Sequence, residues 1–396
     1  MSSAASAPAV LEASSERAAS VPWYIWVGVV ALTSSSIGGS WDVSWHRSIG
    51  RDTFWTPAHM AIYVGGILVG IVGLWLMLSA TFGSSQKARE VRAVSVRVLG
   101  LRAPLGVFLA GWGGITMLTS APFDNWWHSA YGLDLKIASP PHMVLLLGLR
   151  AVSFGILLLI LAAMNRAALS GASNFRSLQT LFLYLGGLAV CAQMGYIQFK
   201  VGDIFLHRAT PYIYIGFAVP ILLMTFSQAS RLRWAATVTA AVYTIFVIGE
   251  ILILPLFPAA PKLGPVFYPV THFVPAKFPI LIILPALALD LLWQRVSAWR
   301  PWQVALLSGF VFIVVLVAVE WPFANFLMSH ASQNRFFGTM YFDYNSRPTG
   351  YDRLRQFFPP QPGLALSLGL LRASVYAAIS TWIGLSFGRW MRGVER

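Results

Sequence analysis

The sequence predicts an all-α, polytopic integral membrane protein, a helical bundle of about ten transmembrane helices. Composition and the spacing of apolar residues carry this prediction. Hydrophobic residues make up 57% of the 396 residues and charged residues only 11%, whereas roughly 25% of the residues in a soluble domain are charged. The mean hydropathy of +0.67 agrees with a membrane chain. The apolar residues also fall into runs of about 20, the length that crosses a bilayer as a helix.

A polar, Ala/Ser-rich tail at 1–20 precedes the apolar runs and is expected to be flexible. The first run has no clear A-x-A cleavage site, so we interpret it as a span and not as a signal peptide. No polar segment of domain size interrupts the rest of the chain, so we expect a single transmembrane domain at 21–396. The ten candidate spans are 22–39, 58–82, 104–121, 141–164, 179–199, 211–229, 235–257, 277–294, 302–321 and 364–388.

Lysine and arginine concentrate in alternate loops, which predicts orientation by the positive-inside rule. The richest loop lies between the second and third spans, and the C-terminal tail is also basic. We therefore expect a bacterial-type inner membrane protein with both termini in the cytoplasm. The net charge of +14 then reflects basic cytoplasmic loops, and we expect a lipid bilayer and no nucleic acid as partner. The long loop at about 322–362, rich in aromatic residues and arginine, is expected outside as a cap or partner surface.

One segment occurs twice. Residues 41–60 read WDVSWHRSIGRDTFWTPAHM, and residues 123–143 read FDNWWHSAYGLDLKIASPPHM. Both contain aromatic-Asp-x-x-Trp-His-x-x-x-Gly-x-Asp and then Pro-x-His-Met, with one extra residue before the second proline. The matched pairs are Asp42 and Asp124, His46 and His128, Gly50 and Gly132, Asp52 and Asp134, Pro57 and Pro140, and His59 and His142. We infer that a helix-turn-helix unit is duplicated, over about 22–82 and 104–164.

Each copy has the residues of a metal site on the expected periplasmic side. Asp42 and His46 are four residues apart and share one face if the first helix continues through them. Gly50 allows the chain to reverse, and His59 follows Pro57 in the first turn of the next helix. Two imidazoles and one carboxylate suit copper, iron, zinc or nickel. The predicted metal ligands are Asp42, His46, His59, Asp124, His128 and His142, and the residues expected to orient them are Arg51, Asp52 and Asp134.

A hydrogen-bonded turn is the alternative interpretation of each copy, because a histidine at a membrane edge is commonly a loop residue and tryptophans there anchor the chain at the interface. The repeat favours a site. The chain has only 7 histidines, and four of them fall at matched positions. Its one cysteine, Cys191, excludes an intrachain disulfide and a thiolate cluster. No P-loop, Rossmann fingerprint or nucleophile elbow is present.

The stretch from Asp42 to Tyr63 resembles the signature of the C subunit of the copper membrane monooxygenases, the family of particulate methane and ammonia monooxygenase. The shared elements are Asp-x-Ser-Trp-His, Arg-Asp-Thr, Thr-Pro-x-His and a tyrosine four residues on. The resemblance implies that Asp42, His46 and His59 bind copper within the membrane. It also implies oxidation of a small apolar substrate with O2 in a complex with other membrane subunits. This chain departs from the family pattern in its extra helices and in its duplicated motif.

Further ionisable residues suggest a rival function. Asp203 and His207 repeat the Asp-x-x-x-His spacing before Pro211, and Glu250 lies in an apolar run, so these three residues are candidates for a proton relay. They also fit a copper-handling or transport protein without oxygenase activity, in which Asp203, Glu250 and Glu320 line a path. A third hypothesis is a structural protein that holds metal only for folding. Residues 322–325 read Pro-Phe-Ala-Asn and echo Pro-Phe-Asp-Asn at 122–125 without the acid.

Overall fold

The protein, described from a computed structural model, is an all-α polytopic membrane bundle. The structure describes residues 20–50, 53–132, 139–201, 205–262, 269–276, 278, 280–296, 298–341, 344–345 and 358–395. The α-helices are α1 (Trp23–Ser48), α2 (Pro57–Phe82), α3 (Gln86–Ala93), α4 (Leu105–Tyr131), α5 (Pro140–Ser170), α6 (Phe175–Val201), α7 (Ala209–Ser230), α8 (Ala235–Ile253), α9 (Ile283–Arg295), α10 (Pro301–Leu327) and α11 (Gly363–Met391). Two 3-10 turns lie at Leu254–Leu256 and His330–Ser332.

Every one of the ten predicted spans contains a helix. Among the described residues, eight of these helices are long and apolar enough to cross a membrane. The remaining two are α1, which is long but carries several polar residues, and α9, which has 13 residues. A helix of 13 residues is about 20 Å long, short of the roughly 30 Å hydrocarbon core of a bilayer.

Five predicted boundaries differ from the structure by six residues or more, among them the end of α5, which continues past residue 164 to Ser170. α1 continues past residue 39 to Ser48, and α4 continues past residue 121 to Tyr131, through Pro122. α10 likewise continues through Pro322 to Leu327, into the region predicted as an outer loop. These helices extend because polar residues at a membrane edge end an apolar run without ending the backbone hydrogen bonding, and prolines are tolerated in membrane helices. α9 begins later than predicted, at Ile283.

The basic loop after α2 is ordered into α3 and a short hairpin. Strands β1 (Val96–Val98) and β2 (Leu101–Ala103) pair antiparallel. The two turn residues, Leu99 and Gly100, have φ angles of 50° and 87°. A two-residue turn with two positive φ angles matches the twist of a hairpin. Arg92 on α3 donates to the carbonyl oxygens of Ala80 and Gly83 at 2.6 Å, so the loop is anchored at the end of α2.

The buried side chains form two large clusters. One lies mainly among α1, α2, α4, α5 and the first part of α6, and the other among the rest of α6 and α7 to α11. The duplicated hairpins α1–α2 and α4–α5 thus belong to the first cluster. This arrangement brings both copies of the Asp/His motif to the same end of their hairpins.

The duplication extends to the way each hairpin packs. A Cβ atom on Gly65 of α2 would lie 2.6 Å from the carbonyl oxygen of Ala31 on α1. A Cβ atom on Gly148 of α5 would lie 2.8 Å from the carbonyl oxygen of Gly113 on α4. Gly65 and Gly148 are matched positions of the two copies, and so are Ala31 and Gly113. Small residues at these crossings let the backbones approach closely, as is common in membrane helices.

Candidate metal centre

The second copy of the motif brings its three predicted ligands together. Asp124 and His128 lie one turn apart near the end of α4, and His142 lies in the first turn of α5. Gly132 ends α4 with φ 83° and ψ −171°, and this reverses the chain toward α5. The helix ends therefore place one carboxylate between two imidazoles.

The distances in this copy fit a metal ion. Nε2 of His128 and Nε2 of His142 each lie 3.5 Å from a different oxygen of the Asp124 carboxylate. One ligand atom from each of the three residues lies within 4.8 Å of the others. Two atoms bound tetrahedrally at about 2.1 Å from one ion are about 3.4 Å apart. The three side chains are 17–24% exposed, so an ion reaches them without unfolding of the helix ends.

A backbone contact of His128 fixes which of its two ring nitrogens faces the Asp124 carboxylate. Nδ1 of His128 lies 3.2 Å from the carbonyl oxygen of Gly132. A carbonyl only accepts hydrogen bonds, so Nδ1 is the donor, and Nε2 is the ring nitrogen left to bind an ion. That nitrogen faces a carboxylate oxygen of Asp124. Either a metal ion or a proton on the imidazole satisfies this pair of facing atoms.

Unsatisfied atoms support the same conclusion. Oδ1 of Asp124 and Nδ1 of His142 are buried, and neither has a hydrogen-bond partner among the described residues. Buried polar atoms normally have partners, and those without one call for an ion or another unseen ligand. The residues of the second copy therefore fit a bound transition-metal ion.

The first copy has the same residue types at unequal distances, and among the described residues only the second copy forms a group whose ligand atoms all lie within 4.8 Å of one another. Oδ1 of Asp42 lies 3.2 Å from Nε2 of His59, while Oδ2 lies 3.8 Å from Nε2 of His46. Nδ1 of His59 lies 3.1 Å from the carbonyl oxygen of Thr53, so Nε2 is the ring nitrogen that faces Asp42. Oδ1 of Asp42 is buried and accepts no hydrogen bond within the described part of the chain.

The two copies also differ in their surroundings. The extended backbone before α9 packs on the end of α1, where Ser44 donates to the carbonyl oxygen of Val274 at 2.6 Å and Ser48 accepts from the Val274 amide at 2.8 Å. Trp126 in the second copy matches Ser44. Ser44 is fully buried, whereas Trp126 is 54% exposed. The end of α4 thus presents an open aromatic surface in the described structure.

Several predicted residues lie elsewhere or outside the described residues. Arg51, Asp52, Asp134 and Asp203 are outside the described ranges. His207 is buried, and its Nε2 lies 2.8 Å from Oδ1 of Asn325 on α10. The two weak echoes of the motif, around His207 and Asn325, therefore contact each other. Glu250 is half-buried on α8, and the proposed relay stays a prediction.

Some contributors to the site were not predicted. The carbonyl groups of Thr53 and Gly132 lie beside Nδ1 of two predicted ligand histidines, His59 and His128. The Thr56 side chain caps α2 by accepting from the His59 amide. Backbone carbonyls carry no residue-type signal. The Thr-Pro pair at 56–57 is a recognisable helix start, and it was the available sign of the cap.

No family model, curated protein or solved structure matches the chain. The fold and the helix ends define a polytopic helical membrane protein with a candidate metal centre. The arrangement offers two imidazoles and a carboxylate to one ion and leaves its remaining positions to water or substrate, which suits redox or Lewis-acid chemistry.

Proposed function

We propose that this chain is a membrane metalloprotein that binds copper and takes part in the O2-dependent oxidation of a small apolar substrate, together with other membrane subunits. Asp124, His128 and His142 are the leading ligand set. The observation that carries the proposal is the pair of imidazole nitrogens, each 3.5 Å from a different oxygen of one carboxylate. A second ion is proposed for Asp42, His46 and His59.

The donor set supports a transition metal, and the resemblance to the copper membrane monooxygenases supports copper in particular. Imidazole suits copper, zinc and iron alike, so donor chemistry by itself leaves iron and zinc as alternatives. Bound copper would supply the redox chemistry with O2. The residues of the chain orient the ligands: the Gly132 carbonyl holds the protonated nitrogen of His128, which directs its other nitrogen at the metal position.

The surroundings of the second copy favour an apolar substrate. Trp126 and Tyr131 are 54% and 67% exposed, and they contact each other edge to face with ring centroids 6.0 Å apart. This aromatic surface adjoins spans that lie in lipid, where small apolar molecules concentrate. It also suits contact with another membrane protein. We propose that this end of the bundle faces the periplasm of a bacterial-type inner membrane and that both termini are cytoplasmic.

Metal content tests the proposal directly. We would measure copper, iron and zinc per chain by elemental analysis of the wild type, His46→Ala, His128→Ala and His272→Ala. His272 is a matched control, because it is a histidine outside both clusters and contacts the adjacent Thr271. We expect two copper equivalents, one lost in His46→Ala, one lost in His128→Ala, and none lost in His272→Ala.

Two results would contradict this assignment. Iron or zinc in place of copper would preserve the site and remove the monooxygenase interpretation. Absence of metal from folded wild type would leave both copies as hydrogen-bonded turns. Oxygen uptake with a short hydrocarbon or ammonia, lost in His128→Ala and retained in His272→Ala, then tests the oxidation itself.

The partial exposure of the second ligand set also suits a copper-handling or transport protein, because exposed ligands exchange their ion readily. This second candidate predicts copper flux in vesicles without oxygen uptake, and a reduced flux in Glu250→Gln. Wild-type vesicles that take up no copper would eliminate it.

A further inference from the structure

A carboxylic acid lies in the core of the C-terminal half, away from both metal motifs. Glu320 is the one ionisable residue of α10 and is fully buried. Leu316 and Ala324, one turn away on either side, are also fully buried. α10 is among the helices apolar and long enough to span a membrane. A carboxyl at such a position is costly when charged, and in membrane proteins it commonly serves a function.

The non-helical backbone before α9 provides the hydrogen-bond partner of one oxygen of the Glu320 carboxyl group. Residues 280–282 are not helical, so their amides need partners from other elements. Oε1 of Glu320 accepts from the Leu281 amide, and the Tyr243 hydroxyl on α8 accepts from the Ile280 amide at 3.3 Å. Side chains of two helices therefore satisfy consecutive amides just before α9.

The fold provides no described hydrogen-bond partner for the other oxygen of this carboxyl group. Oε2 of Glu320 is buried and has no hydrogen-bond partner among the described residues. No described Lys, Arg or His forms an ion pair with this carboxyl. Tyr212 on α7 and Tyr243 on α8 are the titratable groups close enough to interact with it electrostatically.

The remaining titratable groups around α10 form no described contact with Glu320. His207 lies against Trp321, and its Nε2 is 2.8 Å from Oδ1 of Asn325. Asp290 on α9 accepts from the Thr237 amide and hydroxyl at 2.7 Å. Arg372 on α11 is exposed and donates to the hydroxyl of Tyr376. Tyr214 on α7 is partly exposed. Arg295 and Arg389 lie in the last turns of α9 and α11. None of these groups neutralises Glu320.

We propose that Glu320 is a proton-binding site. A buried carboxylate without a counter-charge loses its hydration, and no ion pair compensates for that loss. The carboxyl therefore takes up a proton from water and becomes neutral. The proton resides on Oε2, while Oε1 keeps the Leu281 amide. Release returns the proton to water when residues 280–282 move away and hydrate the site. Non-helical backbone beside an ionisable group is a common arrangement at the ion-binding sites of membrane proteins. The site is independent of the proposed metal chemistry.

Infrared spectroscopy of the whole protein in lipid tests this site. The chain contains six glutamates, of which Glu250 and Glu320 lie in candidate spans. We would compare protein with unlabelled and with carboxyl-13C glutamate at neutral pH. An isotope-sensitive carbonyl band of an un-ionised carboxyl is expected in the wild type. It should be present in Glu250→Gln, absent in Glu320→Gln, and shifted after incubation of the folded protein in D2O.

Each other outcome overturns the proposal. No isotope-sensitive band in the wild type means that Glu320 is ionised. Loss of the band in Glu250→Gln assigns the proton to the other glutamate. A band that does not shift in D2O belongs to a sealed structural acid and not to a binding site. The wild type and Glu250→Gln decide the question even if Glu320→Gln does not fold.

Discussion

Gly132 shows how a single backbone position orients a candidate metal ligand. With φ 83° and ψ −171°, it occupies a region that residues with a side chain essentially never adopt. Its carbonyl oxygen lies 3.2 Å from Nδ1 of His128, so the turn and the orientation of the imidazole depend on each other. The spacing of Asp124 and His128 was predictable from the sequence. The role of the carbonyl was not, because it depends on where the turn directs a backbone group.

We expect Gly132→Ala to weaken metal binding by the second copy. An added Cβ forces the turn into another conformation and moves the carbonyl away from His128. Loss of a group that orients a metal ligand typically lowers affinity by roughly 10–100-fold. Competition titration against a chelator, in a His46→Ala background, would measure the change. Gly111→Ala is the control, because nothing lies within 4 Å of a Cβ there. Unchanged affinity in folded Gly132→Ala would refute the role of this turn.

The helical hairpin is the unit that the two copies share. The sequence repeat was recognisable at the motif, and its helix-turn-helix form is present in α1–α2 and α4–α5. The close crossing at Gly65 and Gly148 was not predicted, because glycines are frequent in membrane helices and their spacing does not identify a partner. The short distances among Asp124, His128 and His142 were also not predictable. The extra residue before Pro140 leaves the order of the motif residues unchanged, so the sequence pattern does not report these distances.

We expect Gly148→Ala to disturb the second hairpin selectively. Its Cβ would lie 2.8 Å from the Gly113 carbonyl oxygen and 2.8 Å from Cγ of Met117, so the helices must separate. Overpacking of this kind costs about 1–3 kcal/mol. Thermal unfolding should shift downward, and elemental analysis should show copper lost from the second copy with the first retained. Gly70→Ala, with open space at the Cβ, should leave both unchanged. Equal metal loss from both copies would argue against independent hairpins.

For the molecule as a whole, composition and hydropathy predicted the all-α membrane bundle, and each predicted span contains a helix. The late start of α9 was missed because residues 280–282 are apolar, although Lys277 and Pro279 interrupt the start of the predicted span. Tertiary partners, the Tyr243 hydroxyl and the Glu320 carboxyl, accept from the amides of this non-helical stretch. A local sequence pattern does not identify these partners, because they lie on other helices.

Orientation gives a prediction for the whole molecule. Leu99 at the tip of the basic hairpin is 95% exposed, and Ser129 near the end of α4 is also exposed. Cys191, the single native cysteine, lies within α6 and contributes little background. In intact cells, an impermeant thiol reagent should label Ser129→Cys directly and Leu99→Cys only after permeabilisation. Cys191→Ser in both backgrounds is the control, and the reverse labelling pattern would invert the proposed topology.

The contacts between residues 269–276 and α1 set an order of assembly during synthesis. Ser48 and its partner Val274 are 226 positions apart, so the end of α1 gains this partner only after most of the chain has left the ribosome. The described contacts of the second Asp/His set all come from α4, α5 and the turn between them. The end of α1 therefore reaches its final packing only when the C-terminal half is made, whereas the described contacts of the second set need only its own hairpin.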